Sequence, residues 1–167
     1  MTEKNDKCST APKLEIIPFD ASKFRDAHTY TVEYWHDASK CYPVEIQKGY
    51  SVLCEAKVSL SDGWTYDGGA TRWNADGNPG LSVPDSLGPV TIQVGALMGM
   101  QVSRLVFDEN STCEDYQQHF RGGGVLFGRE KRFTTALDGY LYLLMQDNCT
   151  YADNSGGHKV VLTFTRN

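Results

Sequence analysis

No segment of ten or more residues in this chain keeps the apolar spacing of a helix face, and the apolar residues fall in short alternating runs cut by turn residues. Tyr30–Trp35, Tyr42–Ile46 and Tyr50–Val58 read in this way, and in the third Val52, Cys54 and Ala56 share one face. Strand signals return at Val90–Val94, Ala96–Val102 and Ser103–Phe107. They return again around Gly122–Gly128 and Lys131–Thr135, ahead of the turn dipeptide Asp138-Gly139. Leu14–Phe19 reads as a short additional strand, and Cys113–Phe120 is the single helical candidate. Many short strands separated by turns predict an all-β fold, an antiparallel β-sandwich or a barrel.

The last two strands can be assigned faces. In Tyr140–Gln146, Leu141, Leu143 and Met145 point one way while Tyr140, Tyr142 and Leu144 point the other. Both sides are apolar, so this strand is expected to be central and covered on both faces. In Lys159–Thr165, Val160, Leu162 and Phe164 share a side opposite Val161, Thr163 and Thr165. Between these strands lies Asp147-Asn-Cys-Thr150-Tyr-Ala-Asp153-Asn154-Ser-Gly, rich in carboxylate, amide and hydroxyl oxygens. Its aspartates stand six positions apart, close enough for one turn to aim both at a point. Hard oxygen donors of this kind suit calcium, which takes six to eight of them, better than zinc, which prefers imidazole or thiolate. An alternative is an Asx-rich hairpin whose side chains bond their own backbone. His158 reads as an ordinary surface or edge residue.

The totals narrow the classes. A chain of 167 residues forms one good core. A net charge of −5 argues against a nucleic-acid partner, which calls for a basic face. No apolar run is long enough to span a membrane, and the polar N-terminus lacks a signal-peptide core, so the product is expected to be cytoplasmic or released by a non-classical route. Five cysteines, odd in number and without a CxxC pair, read as buried or free thiols. The region from Ser59 to Asp85 is a long glycine-rich loop carrying Trp64 and Trp73, of the kind that is usually functional or mobile.

The pattern Gly-x-Leu-x-Leu-x-x-x-Asp-x-x-Thr-Tyr-x-Asp-Asn-Ser-Gly resembles the C-terminal signature of the PA-I type bacterial galactophilic lectins. Trp73-Asn-Ala-Asp-Gly77 and Gly95-Ala-Leu-Met-Gly99 resemble two further segments of that family, so the resemblance spans residues from about 28 to 167 in order. It implies a 1–27 N-terminal extension followed by a sandwich of the galactose-binding-domain-like (jelly-roll) type with one bound Ca2+. By this resemblance Asp147, Asp153 and Asn154 are side-chain ligands and Thr150 is a backbone-carbonyl ligand. One more carbonyl comes from the loop after the Tyr50 strand, from Ser61 or Tyr66. The ligand-binding surface then comprises Asp147, Asn148, Thr150, Asp153, Pro84 and Asp85, the last two from Val83-Pro-Asp-Ser86. The implied ligand is a mono- or oligosaccharide, cell-surface glycans included, and the implied assembly a homo-oligomer. Trp64, Tyr66 or Trp73 would cover the apolar face of the sugar.

Departures bear on specificity. The family's His and Gln around the Pro-Asp pair are absent, as is its nearby disulfide; Asp153 replaces an asparagine, and the loop is one residue shorter before Thr150. Galactose preference therefore does not follow. Two other classes compete. A glycoside hydrolase needs two facing carboxylates, and Glu45, Glu55, Asp62, Asp67 and Asp76 are scattered in the chain. No nucleophile elbow, zinc helix or phosphate loop appears, and the expectation is a non-enzyme. A calcium-stabilised protein-interaction module without sugar binding is the other.

Overall fold

The computed structural model describes residues 11–20, 22, 28–57, 63–69, 71–81, 91–147 and 149–166. Among them the chain forms a sandwich of two five-stranded sheets. The first runs β1 (Lys13–Leu14), β3 (Lys40–Ile46), β9 (Gly139–Met145), β6 (Leu97–Val102), β7 (Val125–Leu126). The second runs β2 (Thr29–Asp37), β10 (Ser155–Arg166), β4 (Tyr50–Lys57), β8 (Glu130–Thr134), with β5 (Gly63–Thr65) pairing the start of β10. All-β architecture and the antiparallel ladder agree with the sequence pattern; among the described strands only β1 pairs in parallel, with β3, and the Ile17–Val44 bridge continues that parallel pairing.

The period of two explains the layers. Val52, Cys54 and Ala56 of β4 and Val160, Leu162 and Phe164 of β10 face Val44, Ile46, Leu141, Leu143 and Met145 of the first sheet, forming the interior of the sandwich. The alternate residues of β9, Tyr142 and Leu144, face outward yet are also buried, beneath helix α1 (Cys113–Gly123). β9 is thus central and covered on both sides, as its sequence predicts. The helix starts at a capping box in which the Thr112 hydroxyl accepts from the Asp115 N–H at 3.3 Å and the Asp115 carboxylate accepts from the Thr112 N–H at 2.7 Å. Its Tyr116 stacks on Phe107 with ring centroids 3.9 Å apart. The described end of the N-terminal segment belongs to the same body: Ile17 bridges to Val44, and Phe19 packs edge-on against Phe164.

Three expectations need correction. Val90–Val94 is not a strand in its described part; residues 91–95 turn, and the Val94 N–H donates to the Leu81 carbonyl at 2.9 Å. Ser103–Phe107 is not a strand either, because its neighbour β9 begins at Gly139 and no ladder continues past Val102. The Val106 N–H instead donates to the Tyr142 hydroxyl at 2.9 Å. Glycine is required at the β9 entry: Gly139 has φ +154°, and a Cβ there would lie 2.1 Å from the Val102 carbonyl oxygen. Third, the cysteines are not all thiols. Cys113 and Cys149 form a disulfide across a sequence separation of 36, because the start of α1 packs beside the loop after β9. Cys41 and Cys54 are buried free thiols, as expected.

Candidate functional site

The oxygen-rich loop leaves β9 and returns as β10, so its two ends sit in different sheets at one edge of the sandwich. Its entry is fastened at Gln146, whose N–H donates to the Ala96 carbonyl at 2.7 Å and whose carbonyl accepts from the Gly95 N–H at 2.8 Å. Asp147 follows and is 1% exposed. Tyr151 is buried behind it, and its phenol is raised well above its usual pKa, by burial first and then by the Asp147 carboxylate. The Tyr151 hydroxyl donates to the Met145 carbonyl. Residues 151–153 make a 3-10 turn in which the Asp153 N–H donates to the Thr150 carbonyl at 3.3 Å.

The upstream partner of this loop is set by strand pairing. Thr65 lies opposite Ser155 and Gly63 opposite Gly157, so the chain leaving β5 at Tyr66 runs alongside Asn154. Gly68, at φ +72°, passes so near Asp153 that a Cβ would lie 3.3 Å from its carbonyl oxygen. Tyr66, one of the two carbonyl candidates, is therefore at the loop; Ser61, Pro84, Asp85 and Asn148 lie outside the described residues. The Tyr66 ring stacks on Trp73 with centroids 6.4 Å apart and planes at 21°, and its hydroxyl accepts from the Asn78 side chain at 2.9 Å. Both rings are half-buried. Trp64, the third aromatic candidate, belongs to the core: it is fully buried, and its indole N–H donates to the Gly95 carbonyl at 2.7 Å.

The site residues divide by exposure. Asp147 and Asn154 are buried and Asp153 is exposed. Asn154 is 8% exposed; its amide nitrogen donates to the Ala38 carbonyl at 3.1 Å, while its Oδ1 has no hydrogen-bond partner. A buried amide oxygen without a donor is costly and invites a cation or a water. The pKa of Asp153 is raised, by partial burial first and then by the Asp67 carboxylate. Asp67 thus joins this edge, a residue that sequence alone leaves among scattered acids, because the register of β5 on β10 is invisible there. Among the described residues no cluster of three or more His, Cys, Asp or Glu side chains is placed to hold a metal. A donor set of two aspartates, an amide and main-chain carbonyls does not depend on such a cluster, and its all-oxygen chemistry with the orphaned Asn154 oxygen fits calcium.

His158 is corrected from a surface residue to a core one. It is fully buried, edge-on to Trp64 at 4.3 Å, and stands directly across the ladder from His36, which is buried too. The polar character of both side chains masks their inward register.

No family model matches this chain, and no curated protein sequence matches it. Among solved structures it is similar to Aeromonas hydrophila PliG, a periplasmic lysozyme inhibitor of g-type lysozyme, with a TM-score of 0.41 and 8% identity over 94% of this chain and 100% of that one.

Proposed function

We propose that the chain is a calcium-dependent carbohydrate-binding module whose ligand edge is built by the 147–154 loop and the Tyr66–Gly69 turn. The observation that carries this reading is the buried, unpartnered Asn154 Oδ1 on a loop that strand pairing brings against Tyr66. Asp147, Asp153, Asn154 and the carbonyls of Thr150 and Tyr66 would hold the ion. Calcium bound there would supply open coordination positions for a pair of sugar hydroxyls. Asp147 is buried and would face the ion, while Asp153 and Asp67 are exposed and would accept hydrogen bonds from hydroxyls of the same sugar. The half-buried Tyr66–Trp73 pair offers an apolar surface beside them. One such small, wet contact gives modest affinity, and a homo-oligomer would raise it by avidity.

Calcium at a hundredfold excess over its Kd is expected to stabilise the native state by about 2.7 kcal/mol. For a chain of this size that raises Tm by roughly 5 to 10 °C. Calorimetric melting with CaCl2 and then with EDTA checks it, and identical curves would remove the ion from the proposal. Asp153→Ala should lower the calcium-bound Tm while leaving the EDTA curve nearly unchanged. A glycan array probed with and without calcium tests the sugar; calcium binding with a silent array leaves an interaction module instead.

A further inference from the structure

The loop just described carries a covalent tether that its proposed role does not use. Cys149 sits between Asp147 and Thr150 with its backbone at φ 69°, in the left-handed region that non-glycine residues rarely adopt. Its sulfur is bonded to Cys113, the first residue of α1. Neither cysteine lies in a strand, so the bond joins a helix to a loop and crosses no sheet ladder. Both residues are nearly buried, and what approach remains is a surface groove of about 460 Å³ lined by Cys113, Glu114, Gln117, Gln118, Arg121 and Cys149.

We propose that Cys113–Cys149 is a thiol-exchange site through which a dithiol reductant loosens the ligand loop; the regulatory half of this inference rests on the reading of that loop as the ligand site. The Arg121 guanidinium in the groove favours an incoming thiolate. The thiolate attacks Cys149 Sγ, the disulfide breaks, and Cys113 leaves as a thiolate at the N-terminus of α1, where helix polarity favours negative charge. The reductant's second thiol then attacks the mixed disulfide and frees Cys149. The net result is two cysteine thiols and one reductant disulfide, with both thiol protons of the reductant accounted for. Reduction removes the covalent tie between α1 and a loop whose backbone includes the left-handed Cys149, while the 3-10 turn of residues 151–153 and the bond from the Tyr151 hydroxyl to the Met145 carbonyl remain. Among the described residues the other thiols do not compete: Cys41 and Cys54 are buried, and burial, foremost, pushes the Cys54 thiol up to about 12.

Hydrogen exchange followed by mass spectrometry, on the full chain with and without dithiothreitol and with no metal added, tests the release. Amides of 149–154 and of the first turn of α1 should exchange about tenfold faster or more after reduction, while β9 and β10 keep their protection. The Cys113→Ser/Cys149→Ser double variant should reproduce the reduced pattern and ignore dithiothreitol. A bond that survives dithiothreitol in native buffer, unchanged loop protection, or loss spread equally over β9 and β10 would overturn the proposal. CaCl2 titrated into both forms reads the coupling, with affinity weakened about tenfold on reduction supporting it and equal affinity overturning it. Calcium that binds neither form sinks the ligand-site reading, and the exchange data still decide the release.

Discussion

Trp64→Ala is expected to cost about 3 to 5 kcal/mol, the range for removing a fully buried aromatic side chain. The effect exceeds that of a core leucine because three kinds of contact go together. The indole N–H bond to the Gly95 carbonyl is lost, leaving a buried acceptor with one donor fewer. The edge-on contacts with His158 at 4.3 Å and His36 at 5.5 Å disappear. The cavity opens under the Trp64–Trp73 bridge, which holds the segment carrying Trp73 against β5. Trp64→Phe retains most of the volume and should cost only about 1 to 2 kcal/mol, chiefly the hydrogen bond. Urea unfolding of the two variants beside the parent gives both numbers. A loss below about 1 kcal/mol in Trp64→Ala would mean that this residue is not packed as described.

Acid should unfold this protein through His36. Burial, and secondarily the charge of His158, lowers the His36 pKa to about 3 from the ordinary 6.5. The unfolded chain therefore binds a proton below pH 6.5 that the folded chain refuses until about pH 3. Stability from this group is full above pH 6.5 and falls by about 1.4 kcal/mol per unit as pH drops, toward a total near 5 kcal/mol. Its ring nitrogen lies 2.9 Å from the Tyr34 hydroxyl, and its ring is tilted at 55° to Tyr42 with centroids 4.4 Å apart; among the described residues no carboxylate is among the causes of its shift. His36→Gln keeps a polar partner for Tyr34 and should start less stable but decline less between pH 7 and pH 4. Parallel declines in the parent and the variant would exclude His36 as the acid-sensitive group. Asp153 acts in the opposite sense, since its raised pKa gives stability that is present in acid and lost as pH rises.

The ladder of the sandwich was legible wherever a strand has a neighbour on each side, because burial on one or both faces writes period two into the sequence. β4, β9 and β10 are such strands. The segments at Val90–Val94 and Ser103–Phe107 carry the same composition for a different reason: Ile92, Val94 and Phe107 are buried from segments outside the strands, Ile92 and Phe107 in the layer beneath α1. Apolar content there reports burial, and strand pairing is what fails. Local spacing and resemblance single out Asp147, Thr150, Asp153 and Asn154, with Tyr66 or Ser61 as the upstream carbonyl, and the ion-holding role given to them stands as a proposal. Asp67 and the Cys113–Cys149 bond were not legible, because each depends on which distant segment lies alongside. His158 misled because a polar residue in a strand is ordinarily taken to face water.

The position of β10 in the second sheet also governs when that sheet can exist. This strand pairs with β2 on one side and β4 on the other, and its first residues hold β5. During synthesis β2, β4 and β8 emerge first and have no central member to join β2 to the others. Half of the sandwich must wait, with its apolar face open to chaperones, until residues 155–166 have left the ribosome. Chains cut short anywhere before Ser155 should then be cleared by proteases as unfolded polymer instead of accumulating as a smaller domain.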